Sequence, residues 1–312
     1  MNLEWYYKRA YWKVRKYLDV HWKLHIKKKS YYRIPIHSIE ETGAELEKLI
    51  LSGKPFAAGR IGGSELRAMV QCQPQANQPA KKELEHGYLV CLSGFFGEVD
   101  QLDDFSRLME HSLGEMDLLG VWFNQMEDYM IHHYASKEVI LGRLEGLEPW
   151  YLPEKPWTRL LKGKKVLVIH PFKDSILTQY EKQRELFPET EILPEFELRC
   201  LKAVQTLANQ KDPRFETWFD ALEYMFREAM KEEFDIALIA CGAYGMPLAA
   251  KLKEAGKQAV HMGGALQLLF GVRGKRWDTA AELMPYYSDA WQYPLDCDQL
   301  RQKDSVEDAC YW

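Results

Sequence analysis

The feature that most constrains the fold is an alternation of short apolar strands and helices in the second half of the chain. Val166–Ile169 is a continuous aliphatic run, which suits a strand buried on both faces of a parallel sheet. The segments predicted after it are helices at 175–186, 215–231 and 247–255 and strands at 235–240 and 258–261. Alternation at this spacing predicts an α/β fold with a doubly wound, mainly parallel sheet flanked by helices.

The first half of the chain contains similar segments in a less regular order. The predicted segments are helices at 39–51, 64–71, 83–96 and 103–116 and strands at 56–59 and 118–123. The stretch 148–156 contains three prolines and is the best internal boundary. It divides the body of the protein into parts 31–150 and 151–312, which follow a basic aromatic helix at 1–30.

The cysteines and the hydropathy of the chain indicate the cellular compartment in which the protein is found. The six cysteines include no Cys-x-x-Cys pair, which argues against a zinc site or a disulfide framework and fits a reducing environment. No apolar run reaches 18 residues, and the first residues lack the apolar core of a signal peptide. The sequence therefore predicts a cytoplasmic protein.

The first 30 residues form a basic, aromatic segment. They carry a net charge of +7, which leaves −12 for the rest of the chain. An apolar stripe recurs there at helical spacing, and it consists of Tyr7, Tyr11, Val14, Leu18 and Trp22, with Trp5 and Trp12 beside it. Such a helix predicts peripheral attachment to the inner face of an anionic membrane. The alternatives are a helix packed on the body of the protein and a homo-oligomer contact. Nucleic acid is not an expected partner, because the rest of the chain is acidic.

The end of the strand at 56–59 is suited to an anionic ligand, because ligands of open parallel sheets lie beyond the carboxyl ends of the strands. Arg60 is followed there by Gly62, Gly63, Ser64 and Glu65. The glycines allow close backbone approach, and the following helix presents free N–H groups to an anion. Glu65 is a candidate metal ligand or proton acceptor. The alternative is that Ser64 caps the helix and Glu65 only favours its dipole.

A second strand end carries a histidine. His170 ends the strand at 166–169, and Lys173 and Ser175 follow at the start of a helix. A lysine at this place suits neutralisation of a phosphate, and His170 is a candidate base. The alternative is that Ser175, or Asp174 before it, only caps the helix.

The third strand end is a turn of small residues around an aromatic one. Gly242, Ala243, Tyr244 and Gly245 precede the helix that begins near Pro247. Backbone N–H groups in such a turn can hold a diphosphate, and Tyr244 is predicted to stack on a base or a sugar.

The fourth strand end repeats the small-residue pattern. His261 is followed by Gly263 and Gly264, so two glycine-bearing ends of consecutive strands are predicted to meet in one crevice. Arg273 lies in a later basic cluster with Lys275 and Arg276. This cluster faces either a phosphate or solvent.

The segment Arg60–Leu66 resembles the Arg-Phe-Gly-Asp-Gly-Glu-Leu motif of GT-D-type glycosyltransferases, a bacterial family that uses nucleotide sugars. Residues 166–176, 235–250 and 263–264 are similar to later segments of that family and its uncharacterised relatives, so the resemblance covers roughly 40–280. It implies a divalent metal, Mn²⁺ or Mg²⁺, held with the donor by an Asp-x-Glu pair. Glu65 matches the Glu, whereas Gly63 replaces the Asp. A single carboxylate is a poor ligand set for these metals.

Together these features predict a glycosyltransferase that transfers a sugar from a nucleotide-diphosphate donor to a glycan or lipid-linked acceptor. Part 151–312 would bind the nucleotide sugar, and the reaction would serve cell-surface polysaccharide or glycoconjugate synthesis. The alternatives are a sugar-phosphate isomerase-like enzyme and a non-catalytic protein that binds nucleotide sugar or scaffolds an assembly.

Overall fold

A computed structural model describes residues 3–22, 28–76, 78–300 and 302–312 of the 312-residue chain. The strands are β1 (Ser30–Tyr31), β2 (Ile34–His37), β3 (Phe56–Gly59), β4 (Leu118–Val121), β5 (Ile140–Arg143), β6 (Lys165–His170), β7 (Glu197–Lys202), β8 (Ile236–Ile239) and β9 (Gln258–His261). The α-helices are α1 (Leu3–Trp22), α2 (Ile39–Leu51), α3 (Gly63–Cys72), α4 (Pro79–Ser93), α5 (Leu102–Gly114), α6 (Glu127–Tyr134), α7 (Lys173–Tyr180), α8 (Gln183–Leu186), α9 (Trp218–Lys231), α10 (Gly245–Glu254) and α11 (Leu266–Leu269).

All nine of these strands form one sheet in the order β1-β2-β5-β4-β3-β9-β8-β6-β7. The pairs from β2 to β7 are parallel, and β1 alone pairs antiparallel, with β2. Strands from both parts of the chain meet where β3 pairs with β9. The predicted α/β fold with a mainly parallel sheet is therefore confirmed. Because the parallel strands share one direction, their carboxyl ends lie along one edge.

The sheet separates two apolar cores, since successive side chains of a strand point to opposite faces. In β3, Ala57 belongs to the core formed with α3, α5, α9 and α10, whereas Phe56 and Ala58 belong to the core on the other face. The strands β6 and β8 alternate in the same way. Burial on both faces explains why these strands are continuous apolar runs.

Two long helices begin at reciprocal caps that the sequence encodes locally. Ser38 Oγ accepts from the backbone N–H of Glu41, and the Glu41 carboxylate accepts from the N–H of Ser38. Thr217 and Asp220 make the same pair of bonds at the start of α9. Each cap satisfies backbone donors that a helix start leaves unpaired.

Four strands were not predicted, and one predicted helix is divided. The strands β1, β2, β5 and β7 lie where the sequence analysis predicted none, and the helix expected at 175–186 is the pair α7 and α8. The edge strand β7 is partly exposed along its length and carries charged residues at both ends, so it lacks a buried-strand pattern. In β2, Pro35 faces solvent, as is usual for proline at the margin of a sheet.

The helix α1 packs on the body through the two tryptophans beside the predicted stripe. Trp5 lies edge-on to Tyr129 with ring centroids 5.0 Å apart, and Trp12 Nε1 donates to the buried Asp128 carboxylate at 2.8 Å. The stripe itself remains on the outside, since Tyr7 and Val14 are 67% and 59% exposed. Contact with a membrane or with a second copy remains a prediction.

Some of the basic segment is beyond what the structure describes. Lys23, Lys27 and the side chain of Trp22 lie outside the described residues. Within the described ranges, no helix combines the length and the apolar character needed to cross a bilayer.

Candidate functional site

A pocket of about 260 Å³ lies at the carboxyl edge of the sheet. Each of five strands contributes a residue at or just after its end: Arg60, Trp122, His170, Ala240 and His261. The pocket therefore spans the junction between β3 and β9, where the two parts of the chain meet. This is the place where open parallel sheets bind their ligands.

The start of α3 forms one wall of the pocket. Gly62 is the N-cap and supplies no side-chain cap, so the first N–H groups of the helix are left for another partner. The Glu65 carboxylate folds back over Gly62. A Cβ on residue 62 would lie 2.0 Å from Glu65 Oε2, so only glycine leaves room for the carboxylate there. Ser64 Oγ donates to the same oxygen at 3.1 Å and lies 2.5 Å from Ser93 Oγ. Gly63, Ser64 and Glu65 all line the pocket.

Arg60 supplies a positive charge to the pocket. Its guanidinium lies against Gly263, which has φ +65°; a Cβ at this position would be 2.1 Å from Arg60 Nη2. The guanidinium also covers the ring of Trp122, with Cζ 4.6 Å from the ring centroid. Burial lowers the pKa of Arg60, and the nearby Glu148 carboxyl opposes this shift. An arginine nevertheless remains charged in proteins. No carboxylate forms an ion pair with Arg60 in the described part of the chain.

His170 is a neutral hydrogen-bond donor in this pocket. Burial lowers the pKa of His170 to about 3. Its Nδ1 accepts from the backbone N–H of Phe172 at 2.9 Å, so the single proton of the neutral ring is on Nε2. Neither nitrogen has a free lone pair for a substrate proton. The predicted role of His170 as a base is therefore wrong, and a role as an Nε2–H donor fits instead.

His261 has the opposite tautomer. Burial, together with the charge of Arg60, lowers the pKa of His261 to about 3, and its Nδ1 lies 3.3 Å from the carbonyl oxygen of Ile239. A carbonyl only accepts, so Nδ1 carries the proton and Nε2 does not. The ring is held against Gly245, where a Cβ would be 2.1 Å from Cε1. Gly245 therefore makes room for His261 and does not line the pocket.

The segment 302–312 forms the opposite wall, which the sequence did not reveal. Tyr311 and Trp312 line the pocket, and Gly264 lies so close that a Cβ would be 2.4 Å from Tyr311 Cε1. Arg276 Nη1 lies 3.3 Å from the Tyr311 hydroxyl, and Arg276 also pairs with Glu307. No spacing in the sequence connects these residues with Arg60, because they meet only through the folded sheet.

Of the small-residue turn, only Gly242 lines the pocket. Gly242 has φ +57°, and a Cβ there would meet Ser93 O at 2.5 Å. Ala243 and Tyr244 are buried in the core instead. The Tyr244 ring stacks on Trp218 with centroids 4.5 Å apart, and its hydroxyl lies 3.1 Å from Thr206 Oγ1. The prediction that Tyr244 stacks on a ligand is wrong, because its ring is already covered.

Three further predicted residues lie outside the pocket. Ser175 is buried and bonds Asp298 through both its hydroxyl and its backbone N–H, at 2.7 Å each. Arg273 pairs with Asp278 at 3.0 Å. Lys173 is half-buried at the start of α7 and does not line the pocket. Lys173 and Ser175 follow the end of β6 as predicted, but the sequence did not show which way their side chains point.

The pocket does not offer the ligand set of a divalent metal. Its two carboxylates are Glu65 and Glu307, and Glu307 is paired with Arg276. Among the described residues, groups of three suitable ligands occur only elsewhere, at Glu4, His132 and His133, at His111, Glu115 and Glu254, and at Asp174, Cys297 and Asp298. Mg²⁺ and Mn²⁺ prefer several oxygen ligands, so Glu65 alone fits them poorly.

Comparisons with known proteins give distant likenesses only. No protein-family model matches the chain, and no curated protein matches it. One solved structure is similar over 85% of this chain and 92% of that one, with 13% identity and a TM-score of 0.47. It is described by the words "the highly conserved domain of unknown function 1792 has a distinct glycosyltransferase fold". A selenomethionine-substituted structure of domain of unknown function 1792 gives 14% identity and a TM-score of 0.45, over 82% and 92%. The function of this chain must therefore be inferred from its own pocket.

Proposed function

We propose that this chain is a glycosyltransferase of GT-D-like type, which transfers a sugar from a nucleotide-diphosphate donor to a glycan or lipid-linked acceptor. Its setting would be cell-surface polysaccharide or glycoconjugate synthesis. The observation that carries the proposal is that one pocket holds both the Glu65 carboxylate and the Arg60 cation, which forms no ion pair with a carboxylate among the described residues. A cation suits the diphosphate, and a carboxylate suits the acceptor hydroxyl.

The donor diphosphate would lie between Arg60 and the start of α3. An anion is favoured at a helix N-terminus, and α3 leaves its first N–H groups without a side-chain cap. The His170 Nε2–H adds a neutral donor from the end of β6. Trp122, which is 37% exposed, and Tyr311 line the same pocket and would give the base or the sugar an aromatic surface to contact.

The transfer step would then use residues already in place. Glu65 removes the proton from the acceptor hydroxyl as the acceptor oxygen forms its bond to the anomeric carbon. The bond from that carbon to the diphosphate breaks, and its electron pair stays on the leaving oxygen. Arg60 neutralises the charge that develops there, which is the kind of electrostatic stabilisation that lowers such barriers most. No step is assigned to a metal, because the residues present do not form a metal site.

The helix α1 supports a membrane location for this reaction. Its exposed stripe includes Tyr7, Tyr11 and Val14, and basic side chains accompany it. We expect the protein to co-sediment with anionic vesicles and to be released partly by salt, since salt screens the attraction of lysine and arginine but leaves the apolar contact. Replacing both Tyr7 and Val14 by serine should weaken sedimentation at all salt concentrations. Unchanged sedimentation would remove the stripe from the contact, and an altered oligomeric state would assign it to a second copy.

A non-catalytic nucleotide-sugar-binding protein is the second candidate. The observations that favour it are Gly63 at the family's Asp position and the lack of a free lone pair on His170. It shares the donor pocket with the enzyme but would show no transfer or hydrolysis.

Calorimetric titration of a panel of nucleotide diphosphates and nucleotide sugars tests the proposal. Arg60→Met should weaken donor binding at least tenfold, about 1.4 kcal/mol. Arg143→Met is a matched control, because Arg143 pairs with Glu145 and does not line the pocket. Glu65→Gln should keep donor binding and abolish turnover. No binding of any nucleotide diphosphate to the wild-type protein would contradict the proposal, and preference for a sugar monophosphate would favour an isomerase-like enzyme.

A further inference from the structure

A cluster of metal-ligating side chains lies away from the pocket, where α1 crosses the end of α6. It consists of Glu4 from α1 and of His132 and His133 from the last turn of α6. The proposed transfer reaction uses none of them. We propose that these three residues bind one Zn²⁺ ion, with water in the remaining position, and that the ion fastens α1 to α6.

The spacing of the ligand atoms fits a small tetrahedral ion. Zn²⁺ binds nitrogen and oxygen at about 2.0 Å, which places neighbouring ligands about 3.3 Å apart. His133 Nε2 already lies 3.5 Å from Glu4 Oε2, and the three ligand atoms all lie within 4.8 Å of one another. The rings of His132 and His133 are 5.1 Å apart although adjacent helix residues usually diverge. Small side-chain rotations would therefore complete the site.

Tyr32 orients two of the three ligands from outside. Its hydroxyl donates to Glu4 Oε1 at 2.5 Å, so that Oε2 is turned towards His133. Its ring stacks on His132 with centroids 3.8 Å apart and planes 2° from parallel. Metal ligands are commonly held by such outer hydrogen bonds, which fix the carboxylate and the ring in place.

The other two clusters of this kind already hold a cation. In the first, Lys253 pairs with Glu115, and in the second, Lys202 pairs with both Asp174 and Asp298. An ammonium group competes there with any metal. Lys8 lies over the Tyr32 ring at 4.0 Å, but its ammonium group pairs with the Asp128 carboxylate at 2.8 Å. The cluster of Glu4, His132 and His133 also has two imidazoles, which favour Zn²⁺ over Mg²⁺ or Ca²⁺.

The position of the site gives the ion a structural role. Glu4 is in the first turn of α1, ahead of Trp5 and Trp12, which pack on the body. A bound ion would add a further attachment at the end of the helix and would resist its fraying. The side chains of Glu4 and His133 are 40% and 34% exposed, so the ion has an open path from solvent.

Titration of the untagged, full-length protein with Zn²⁺ by calorimetry tests this site, with Co²⁺ absorption as a check on coordination. We expect one Zn²⁺ per chain at micromolar concentrations and a rise in melting temperature. His133→Ala should abolish this binding. Tyr32→Phe removes only the hydroxyl and should weaken the affinity about 10- to 100-fold, the usual effect of losing an outer partner of a metal ligand.

His111→Ala is the matched control, because His111 also pairs with a surface glutamate, Glu254, and should leave Zn²⁺ binding unchanged. Wild-type protein that binds no Zn²⁺, or Tyr32→Phe that binds as the wild type does, would overturn the proposal. Loss of binding in His111→Ala would assign the ion to the other cluster. If His133→Ala does not fold, the comparison of Tyr32→Phe with the wild type decides the question.

Discussion

Replacing Asp128 by alanine should destabilise the protein, because this buried carboxylate accepts hydrogen bonds from two side chains of α1 and so helps to hold that helix on the body. Asp128 is fully buried and accepts hydrogen bonds from Trp12, Lys8 and Lys28, each at 2.8 Å. It also accepts from the backbone N–H of Tyr129 at 2.9 Å. Without the carboxylate, the Trp12 N–H loses its acceptor while buried, and two ammonium groups lose the carboxylate with which each forms its ion pair.

The expected loss is about 3 kcal/mol in the free energy of unfolding. Breaking a buried ion pair by removing one partner costs about 3–5 kcal/mol. The lower end applies here because the side chains of Lys8 and Lys28 are 17% and 16% exposed and can turn to solvent. Asp104→Ala is a matched control, since Asp104 pairs with Arg107 on the surface, and such a pair contributes about 0–1 kcal/mol.

Urea denaturation measures this loss, and hydrogen exchange of α1 amides shows where it arises. We expect the amides of α1 to lose the most protection in Asp128→Ala, whereas the strands of the sheet should lose no more than the global free energy of unfolding loses. Combining Asp128→Ala with Trp12→Phe should cost less than the sum of the two single changes, because the second removes a donor that the first has already left unpaired. A loss below about 1 kcal/mol, or full protection of α1 in the variant, would refute this account of the docking.

Four further predictions concern single residues. Burial would raise the pKa of Asp128, but the hydrogen bonds from Lys28, Lys8 and Trp12 outweigh it and hold this pKa below its usual value. The stability that Asp128 contributes should therefore persist above about pH 4 and disappear as the pH falls further. Urea denaturation at a series of pH values measures this. Burial raises the pKa of Glu127 to about 7, so the free energy of unfolding should fall as the pH rises from about 4.3 to about 7. Glu127→Gln should flatten that slope. Gly245→Ala should lower the melting temperature, because its Cβ would collide with the His261 ring. Tyr244→Phe should leave calorimetric donor binding unchanged and cost about 1 kcal/mol of stability through the lost bond to Thr206.

The central strands of the sheet could be predicted because each is short and buried on both faces. The bounds of β3 and β9 follow directly from the sequence, and β6 and β8 differ from the prediction by one residue at each end. In contrast, β7 is an edge strand whose Glu, Arg and Lys side chains resemble those of a loop. Edge strands meet water on one side, so their sequences carry less information about their structure.

The candidate site could be predicted where its residues end a strand or lie in the turn that follows one. Arg60, His170 and His261 meet because parallel strands end at one edge. Trp122 also follows a strand end, but nothing in its neighbourhood marked it as part of a site. Tyr311 is brought in by a long-range packing of the segment 302–312, for which local sequence gives no signal. The orientation of Tyr244 likewise depends on Trp218, a contact that no spacing rule predicts.

The pairing of β3 with β9 delays completion of the sheet while the protein is being synthesised. The strand β3 pairs with β4 on one side, but its other edge must wait for a strand about 200 residues further along the chain. Because a ribosome adds about 5–20 residues per second, that edge of β3 stays unpaired for about 10–40 s during translation. An unpaired apolar edge invites pairing with other chains. This protein should therefore depend on chaperones at the ribosome more than a sheet of the same size built from neighbouring strands.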